Sequence, residues 1–178
     1  TFYKQTAKAR KEKLWKPKAF FVLEKLKEYG SSEHQVIDIG GGYGLFGEEI
    51  REQSSRDPII IEPAPHLAAV CRKKSLKVVE KFLEDCLSND FPDGPRAFVS
   101  FELFEHLHDP QQFLSCVLNF MTKGDIFIFT TLSGTGVDIQ LLWKNSKSVS
   151  PPHHLNFFNP NSIKLFLEQM PVEILNVT

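Results

Sequence analysis

Residues 36–50 read VIDIGGGYGLFGEEI, a stretch that decides the fold. Val36 to Ile39 is a short and mostly β-branched run, which is typical of a buried parallel strand. Glycines follow at once, and residues 45–53 have the pattern of a helix. A strand, a glycine turn and a helix in this order let a ligand lie against bare backbone above a helix N-terminus. We therefore predict a ligand site at this turn.

A second apolar run at residues 59–61 is followed directly by an acid, Glu62. Doubly wound folds place a carboxylate about 20 residues after the glycines, where it accepts hydrogen bonds from ribose hydroxyls. The glycine turn and Glu62 together predict a site for an adenosine-containing cofactor. Two cofactor classes remain open at this point.

Composition limits the class of protein. A chain of 178 residues with a net charge of −1 predicts one domain without a general nucleic-acid surface. Cys71, Cys86 and Cys116 are widely spaced, match no zinc pattern, and are predicted to be reduced thiols of a cytoplasmic protein. No apolar run approaches the roughly 18 residues of a membrane span. Because the chain begins at Thr1 without Met, we expect a piece of a longer protein.

Predicted strands and helices alternate along the rest of the chain. We predict further strands at 77–81, 96–101, 126–129 and 172–177, and helices at 63–74, 110–121 and 163–170. This alternation predicts an α/β fold with a Rossmann-like, doubly wound, mostly parallel sheet and helices on both faces. We predict a single domain over residues 1–178, with the cofactor-binding core in residues 31–178. The irregular segment 133–158 is expected to be functional or mobile.

The N-terminal 30 residues form a predicted helical lid. Residues 4–18 carry seven bases against one acid, Glu12, and Gly30-Ser31-Ser32 should break the helix. The bases are Lys4, Lys8, Arg10, Lys11, Lys13, Lys16 and Lys18. We interpret them as the solvated face of a covering helix. The alternative is a basic lid that steers an anionic substrate or RNA.

Two interpretations of the glycines compete. Residues 42–47 fit G-x-G-x-x-G, the dinucleotide pattern, which would indicate a nicotinamide oxidoreductase. The register disfavours this interpretation, because the turn already begins at Gly40, two residues after Asp38. Residues 38–44, DIGGGYG, instead resemble the D-x-G-x-G-x-G motif of the class I S-adenosylmethionine-dependent methyltransferases.

The resemblance extends along most of the chain. Residues 98–110, FVSFELFEHLHDP, are similar to the E-x-x-E-H-x-x-D-P segment of the ubiquinone-biosynthesis O-methyltransferase group. Residues 154–167 resemble the H-x-x-x-F-x-x-x-S-[IL] stretch of that group. The resemblance implies the strand order 3-2-1-4-5 plus a C-terminal strand. Because the family fold ends with a further antiparallel strand and this sequence stops at Thr178, we expect that strand to be missing here.

The same resemblance implies a set of cofactor-binding residues for S-adenosylmethionine. Asp38 would hold the cationic end of the methionine moiety, and Glu62 would bind the ribose. Phe82 stands where many family members have an Asp for the adenine amino group, which shifts adenine binding toward backbone contacts and aromatic packing. The implied cofactor-binding residues are Asp38, Gly40, Gly42, Gly44, Glu62, Pro63, Phe82, Leu83, Phe101 and Glu102.

Methyl transfer to a hydroxyl also requires removal of a proton. We predict His154, Glu105 and His106 as catalytic, with His154 as the base or acceptor-binding group. On a helix start, Glu102, Glu105 and His106 would share one face. With His154 they could hold a divalent cation such as Mg²⁺, similar to the site of the small-RNA terminal ribose methyltransferases. The alternative is that no metal binds, that the histidine only donates a hydrogen bond to a loop, and that Glu105 caps a helix or forms a salt bridge.

Our leading hypothesis is O-methylation of a sugar or another hydroxylated small molecule. One alternative is an RNA ribose methyltransferase with a metal-assisted site. Another is a cofactor-binding module without catalysis. We further predict that His34 and His66 are surface residues and that Asp109 caps the helix after it. The sequence does not indicate an oligomeric state.

Overall fold

The computed structural model describes residues 6, 8–30 and 33–177. Five parallel strands form one sheet in the order β3-β2-β1-β4-β5. The strands are β1 (Gln35–Ile39), β2 (Ile59–Ile61), β3 (Lys77–Val79), β4 (Arg96–Ser100) and β5 (Ile126–Phe129). The predicted fold class and strand order are therefore confirmed.

α-Helices stand before, between and after these strands in the chain, and residues 8–10 are also helical. The longer helices are α1 (Lys16–Tyr29), α2 (Leu45–Ser54), α3 (Pro65–Lys73), α4 (Pro110–Phe120), α5 (Val137–Leu142) and α6 (Pro160–Leu167). Pro17 occupies the first turn of α1, where its missing N–H costs nothing, and Gly30 follows the last residue of this helix. Ser31 and Ser32, which belong to the predicted helix break, and Lys4 of the basic cluster lie outside the described residues.

The described chain forms two compact units. The first, here called the sheet unit, comprises Thr1–Ser100 and Cys116–Ile128. The second unit comprises Phe101–Ser115 and Phe129–Thr178. The prediction of a single domain with a lid over residues 1–30 stays a prediction. None of the described helices has the length and apolar character needed to span a membrane.

The central strand of the sheet unit is β1, which pairs with both β2 and β4. Asp38 stands opposite Ile60 on one side and Val99 on the other. Its neighbours Val36 and Ile37 are fully buried. Parallel strands that are covered on both faces are continuously apolar, so one carboxylate in this strand is exceptional. The register brings Asp38 and the end of β2 to the same edge of the sheet.

Helix α1 belongs to the sheet unit and buries Ala19, Val22 and Leu26. A π-helical turn, Lys11–Trp15, precedes α1, and Lys11 Nζ lies 2.6 Å from Glu52 Oε1 and 3.7 Å from Glu49 Oε1. One of the predicted solvated bases is therefore paired with acids of α2.

One histidine prediction is wrong. His34 is only 5% exposed, and its Nε2 lies 3.0 Å from the carbonyl oxygen of Gly124, to which it donates. A buried imidazole can make its hydrogen bond to a carbonyl oxygen of the protein instead of to water. No local pattern in the sequence indicates that His34 and Gly124 are partners. His66 is exposed as predicted. Asp109 Oδ1 accepts from the N–H of Gln112, as a cap of α4 should.

The second unit is organised around Phe104, which is fully buried. Its ring stacks on Phe129 at 4.6 Å and contacts Phe113, Phe158 and Phe166 at centroid distances of 6.0, 5.8 and 6.1 Å. Such aromatic contacts add to the hydrophobic burial of each ring. They fix the short 3-10 turn Phe104–His106, which carries two of the predicted catalytic side chains.

The predicted strand at 172–177 is not formed, and these residues are irregular. The Val172 N–H donates to the Met170 carbonyl at 2.8 Å, so the chain turns just after α6. Leu175 is 43% exposed. β-branched residues form a strand only where a neighbour supplies pairing, and propensity alone does not provide it.

Candidate functional site

The glycine turn joins β1 to α2 within the sheet unit. The N–H groups of Gly40 and Gly41 donate to the Ile61 carbonyl at 2.9 and 3.3 Å, and the N–H of Gly44 donates to the carbonyl of Gly41 at 2.9 Å. These bonds tie the turn to the end of β2. The strand, turn and helix predicted from residues 36–50 are confirmed.

Gly42 and Gly44 both have left-handed backbones, with φ of 56° and 68°, but their surroundings differ. A Cβ on Gly44 would lie 2.6 Å from Leu76 Cδ1 and 2.9 Å from Cys71 Sγ. A Cβ on Gly42 would meet nothing within 4 Å. The turn is therefore packed against the protein at Gly44 and open at Gly42, as a turn that holds a ligand should be.

This contrast gives a stability prediction. We expect Gly44→Ala to lower the free energy of unfolding by about 3 kcal/mol, because it combines left-handed strain with overpacking. Gly42→Ala carries similar strain without the clash, and it should cost about 1 kcal/mol. Urea unfolding of the ligand-free protein measures both values, and equal losses would contradict the packing argument.

Glu62 is buried and bonds to backbone on both sides. Its Oε2 accepts from the N–H of Gly42 at 2.8 Å, and its Oε1 accepts from the N–H of Ala64 at 2.9 Å. The carboxylate thus ties the open part of the glycine turn to the start of α3. Each carboxylate oxygen has a second lone pair that can accept from a ligand hydroxyl.

Asp38 is the second buried acid of this site. It is 3% exposed, and its Oδ2 has no hydrogen-bond partner among the described residues. Burial, together with the nearby charge of Glu62, raises the pKa of Asp38 to about 7. A buried carboxyl oxygen without a partner is matched by a ligand that brings a cation. A sulfonium nucleoside with an amino-acid ammonium and a ribose diol therefore fits the residues present.

Two residues that support the turn were not predicted from the sequence. Lys74 Nζ donates to the Tyr43 carbonyl at 2.8 Å and lies 2.7 Å from Glu48 Oε2. Cys71 Sγ lies 3.2 Å from the carbonyl oxygen of Gly42, to which the thiol donates. Both side chains lie at the C-terminal end of α3, some 30 residues from the turn, so no local spacing indicates them.

The predicted adenine-lining residues differ in exposure. Phe82 is 62% exposed, whereas Leu83 is 3% exposed and begins a 3-10 turn, Leu83–Asp85. Pro63 is partly buried directly after Glu62. An exposed aromatic ring of this size is available for stacking on a ligand, while Leu83 belongs to the core.

The face predicted for Glu102, Glu105 and His106 does not exist. Glu102 has a left-handed backbone, with φ of 54°, and stands outside the 3-10 turn that contains the other two residues. Glu105 is buried, whereas Glu102 and His106 are exposed. The residue before a proline avoids the α conformation, so Asp109 before Pro110 prevents a continuous helix through this segment. Phe101, the residue after β4, is buried.

Two imidazoles of the second unit come together. The ring centroids of His106 and His154 are 4.9 Å apart, with planes inclined by 48°. His106 Nδ1 lies 2.6 Å from the carbonyl oxygen of His153, and His154 Nδ1 lies 2.7 Å from that of Ser148. The sequence predicted this pair of residues, although not the loop carbonyls that hold them.

The carbonyl contacts determine which nitrogen carries the proton. A carbonyl oxygen can only accept, so Nδ1 must donate in both rings. In a neutral imidazole the other nitrogen, Nε2, then has a free lone pair. Both histidines are consequently held as proton acceptors at Nε2.

The predicted metal site at Glu102, Glu105, His106 and His154 is not assembled. Nowhere in the described chain do three or more His, Cys, Asp or Glu side chains group so that they could hold a metal ion. Glu102 is exposed on a left-handed backbone, Glu105 is buried, and the Nδ1 atoms of both imidazoles are occupied by carbonyls. Glu105 Oε2 is instead a buried oxygen without a partner among these residues.

The segment that carries His154 is attached to the turn that carries His106. The N–H groups of Leu155 and Asn156 donate to the Glu105 carbonyl at 2.7 and 3.1 Å. The Asn156 side chain donates to the carbonyls of Phe104 and Leu107 at 3.1 and 2.6 Å. These four bonds fix the C-terminal end of the loop that runs from Ser146 to His154. The fold of the second unit therefore holds the two imidazoles in place.

Comparison with known proteins gives a family. The family described as Methyltransferase domain matches residues 8–175. A search of the curated proteins finds no match.

Several solved structures share the fold. The plantazolicin methyltransferase BpumL in complex with SAH has a TM-score of 0.69 and 12% identity, covering 93% of this chain and 68% of that one. A SAM-dependent methyltransferase of Thermotoga maritima, described as a possible histamine N-methyltransferase, has a TM-score of 0.59 and 16% identity, covering 90% and 77%. A SAM dependent methyltransferase of Archaeoglobus fulgidus has a TM-score of 0.60 and 21% identity, covering 85% and 67%. This chain spans about two thirds of the first and third of these proteins.

Proposed function

The chain belongs to the methyltransferase domain family, and we propose that it uses S-adenosylmethionine to methylate a hydroxyl oxygen of a sugar or another small hydroxylated metabolite. The observation that carries this proposal is the pair of imidazoles with Nε2 free to accept a proton. A hydroxyl acceptor must lose its proton as it attacks the methyl group, and an imidazole is the side chain best suited to take it.

Binding of the cofactor rests on residues of the sheet unit. S-adenosylmethionine supplies an activated methyl group on a sulfonium. Glu62 would accept from the ribose hydroxyls through its remaining lone pairs, and the unpartnered Oδ2 of Asp38 would hold the cationic part of the methionine moiety. Gly42 leaves room for the ligand because nothing lies within 4 Å of the position that a Cβ would take. Phe82, being exposed, stacks on the adenine.

Proton removal rests on the second unit. His154 Nε2 would take the proton of the acceptor hydroxyl as that oxygen is methylated. The Nδ1–H bond to Ser148 stabilises the imidazolium that results, since this nitrogen donates in both protonation states. His106, whose ring packs beside that of His154, orients the acceptor.

The proposal is tested in two steps. Isothermal calorimetry with S-adenosylhomocysteine should show one site per chain, and methyl-labelled S-adenosylmethionine should label hydroxylated compounds in a panel of sugars, polyols and phenols. Absence of binding would overturn the assignment of the cofactor. Binding with transfer only to amines or thiols would overturn the assignment of the acceptor.

The raised pKa of Asp38 gives a pH-dependent prediction. A bound cation favours the ionised carboxylate, whereas the free protein holds Asp38 protonated up to about pH 7. The affinity for S-adenosylhomocysteine should therefore rise from about pH 6 to about pH 8, with release of a proton on binding below pH 7. Calorimetry in buffers of different ionisation enthalpy measures the proton release, which Asp38→Asn should abolish. An affinity that falls over this interval would contradict the role of Asp38.

The same shift has a consequence for stability. The pKa of Asp38 is about 7 in the folded state and 3.8 when unperturbed, so the folded protein binds an additional proton between these values. The resulting stabilisation is complete below pH 3.8 and is lost as the pH rises to about 7. Cofactor binding in neutral solution should offset this loss.

The metal-assisted site of the alternative RNA ribose methyltransferase does not assemble among the described residues, whereas RNA as the acceptor stays an untested alternative. The alternative of a binding module without catalysis makes a distinct prediction, namely normal cofactor binding with no transfer to any acceptor.

A further inference from the structure

The segment between α5 and His154 contains a carboxylate that the proposed chemistry does not use. Asp138, near the start of α5, is exposed, and its Oδ2 accepts from the hydroxyls of Ser146 and Ser148, both at 2.6 Å. Ser146 is buried, and its own Oγ accepts from the Ser148 N–H at 3.0 Å. One carboxylate oxygen thus closes a small network around the turn that begins the loop.

This network is one step away from the imidazoles. The Ser148 hydroxyl donates to Asp138, and the Ser148 carbonyl accepts from His154 Nδ1 at 2.7 Å. The Ser150 carbonyl, two residues later, accepts from the N–H groups of His153 and His154 at 2.8 and 3.1 Å. The same loop then presents the His153 carbonyl to His106 Nδ1. One loop therefore supplies both of the acceptors that set the tautomers.

Different hydrogen bonds hold the two ends of the loop. Its end is bonded to the carbonyl of Glu105 through Leu155 and Asn156. At its beginning, the backbone makes local turns, in which the Ser146 N–H donates to the Trp143 carbonyl and the Val149 N–H donates to the Ser146 carbonyl. The bonds to Asp138 fix the beginning of the loop to α5. These hydrogen bonds also hold the pKa of Asp138 below its usual range, so the carboxylate stays ionised.

We propose that Asp138 is a positioning residue, which fixes Ser148 so that its carbonyl holds His154 as the Nδ1–H tautomer with Nε2 free to act as the base. The inference rests on the proposed function, because it assigns a purpose to the tautomer of the base. Charge-assisted hydrogen bonds from hydroxyl groups are short and strong, so two of them on one oxygen can define the loop. Outer partners that orient a functional histidine commonly affect activity although they touch no substrate.

The tautomer can be measured directly. Nitrogen-15 NMR of the imidazoles in the neutral range distinguishes a protonated from an unprotonated Nδ1, and a His154→Gln sample identifies the signals of that ring among the six histidines. In the unmodified protein His154 should be protonated at Nδ1. In Asp138→Ala the ring should sample both tautomers, because the Ser148 carbonyl is no longer fixed.

Activity and rescue provide the second readout. Asp138→Ala should lower kcat for methyl transfer roughly tenfold, with the affinity for S-adenosylhomocysteine unchanged. Asp138→Asn retains an acceptor oxygen and should restore most of the rate and the tautomer. Glu168→Ala, which removes an exposed acid after α6 in the same unit, is the matched control and should change neither.

The outcomes separate this inference from the function on which it rests. If His154 is protonated at Nε2, or if Asp138→Ala keeps the tautomer of the unmodified protein, the positioning role is wrong. If Asp138→Ala fails to fold, Ser148→Ala removes only the hydroxyl and is judged by the same tautomer criterion. The NMR measurement needs no acceptor, so an unmodified protein that binds the cofactor but transfers no methyl group would overturn the proposed function alone.

Discussion

Replacing His154 by alanine should lower the rate of methyl transfer by roughly 10² to 10³, the range expected when a general base is removed. The reason is geometric. The Nδ1–H bond to the Ser148 carbonyl leaves Nε2 of His154 as the proton acceptor. Glu105, which directly precedes His106, is buried and is therefore not available as a replacement base. Labelled S-adenosylmethionine with the best acceptor from the panel measures the rate.

A neighbouring histidine offers a matched control. His153→Ala removes an exposed imidazole one residue away but keeps the backbone carbonyl that accepts from His106 Nδ1. It should retain most of the activity. The affinity of both variants for S-adenosylhomocysteine should equal that of the unmodified protein, since neither His153 nor His154 is among the residues proposed to bind the cofactor. Full activity of His154→Ala would remove His154 from the mechanism.

The strand, turn and helix of the proposed cofactor site could be predicted from the sequence because the information for them is local. A strand, a glycine turn and a helix follow one another within residues 36–50, and the parallel register places the end of β2 beside them. Asp38 was identifiable because it stands at the end of an apolar strand, at the first position of the D-x-G-x-G-x-G motif. Glu62 was identifiable from its place directly after the second strand. The Gly42 N–H donates to Glu62 and so brings the glycine turn and this carboxylate together.

The sequence indicated which residues to propose for catalysis, but it did not indicate how they are arranged in space. Helical spacing suggested one face for Glu102, Glu105 and His106, yet this segment is only a short 3-10 turn before Pro110. Whether such a segment continues as a helix depends on its neighbours, and here the aromatic contacts of Phe104 fix the turn. Spacing rules apply only to the helix that actually forms.

Residues that act through long-range contacts were missed altogether. Lys74 reaches the carbonyl of Tyr43, and Asp138 reaches Ser148, in each case between segments whose separation carries no periodic signal. The buried partnership of His34 with Gly124 spans 90 residues. Hydrogen bonds of this kind satisfy polar groups that burial would otherwise leave unpaired, and the need for them arises only once the chain has folded.

Glu62→Gln should weaken the binding of S-adenosylhomocysteine roughly 100-fold, because about 3 kcal/mol of hydrogen bonding is lost. In the unmodified protein one carboxylate oxygen accepts from Gly42 and the other from Ala64. A glutamine offers only one oxygen, so its NH₂ group would face one of these two donors and leave it unpaired. The amide also loses the charge and the lone pairs proposed to accept from the ribose hydroxyls.

The neighbouring strand provides the control for this variant. Glu80 directly follows β3, as Glu62 directly follows β2, but it is exposed and pairs with Arg72. Glu80→Gln makes the same chemical change at the same edge of the sheet, and it should alter the dissociation constant less than about twofold. Urea unfolding of the ligand-free proteins should show a loss of about 1 to 3 kcal/mol for Glu62→Gln and little for Glu80→Gln. If Glu62→Gln binds the ligand as tightly as Glu80→Gln, Glu62 serves only the backbone of the glycine turn, and the ribose must be held elsewhere.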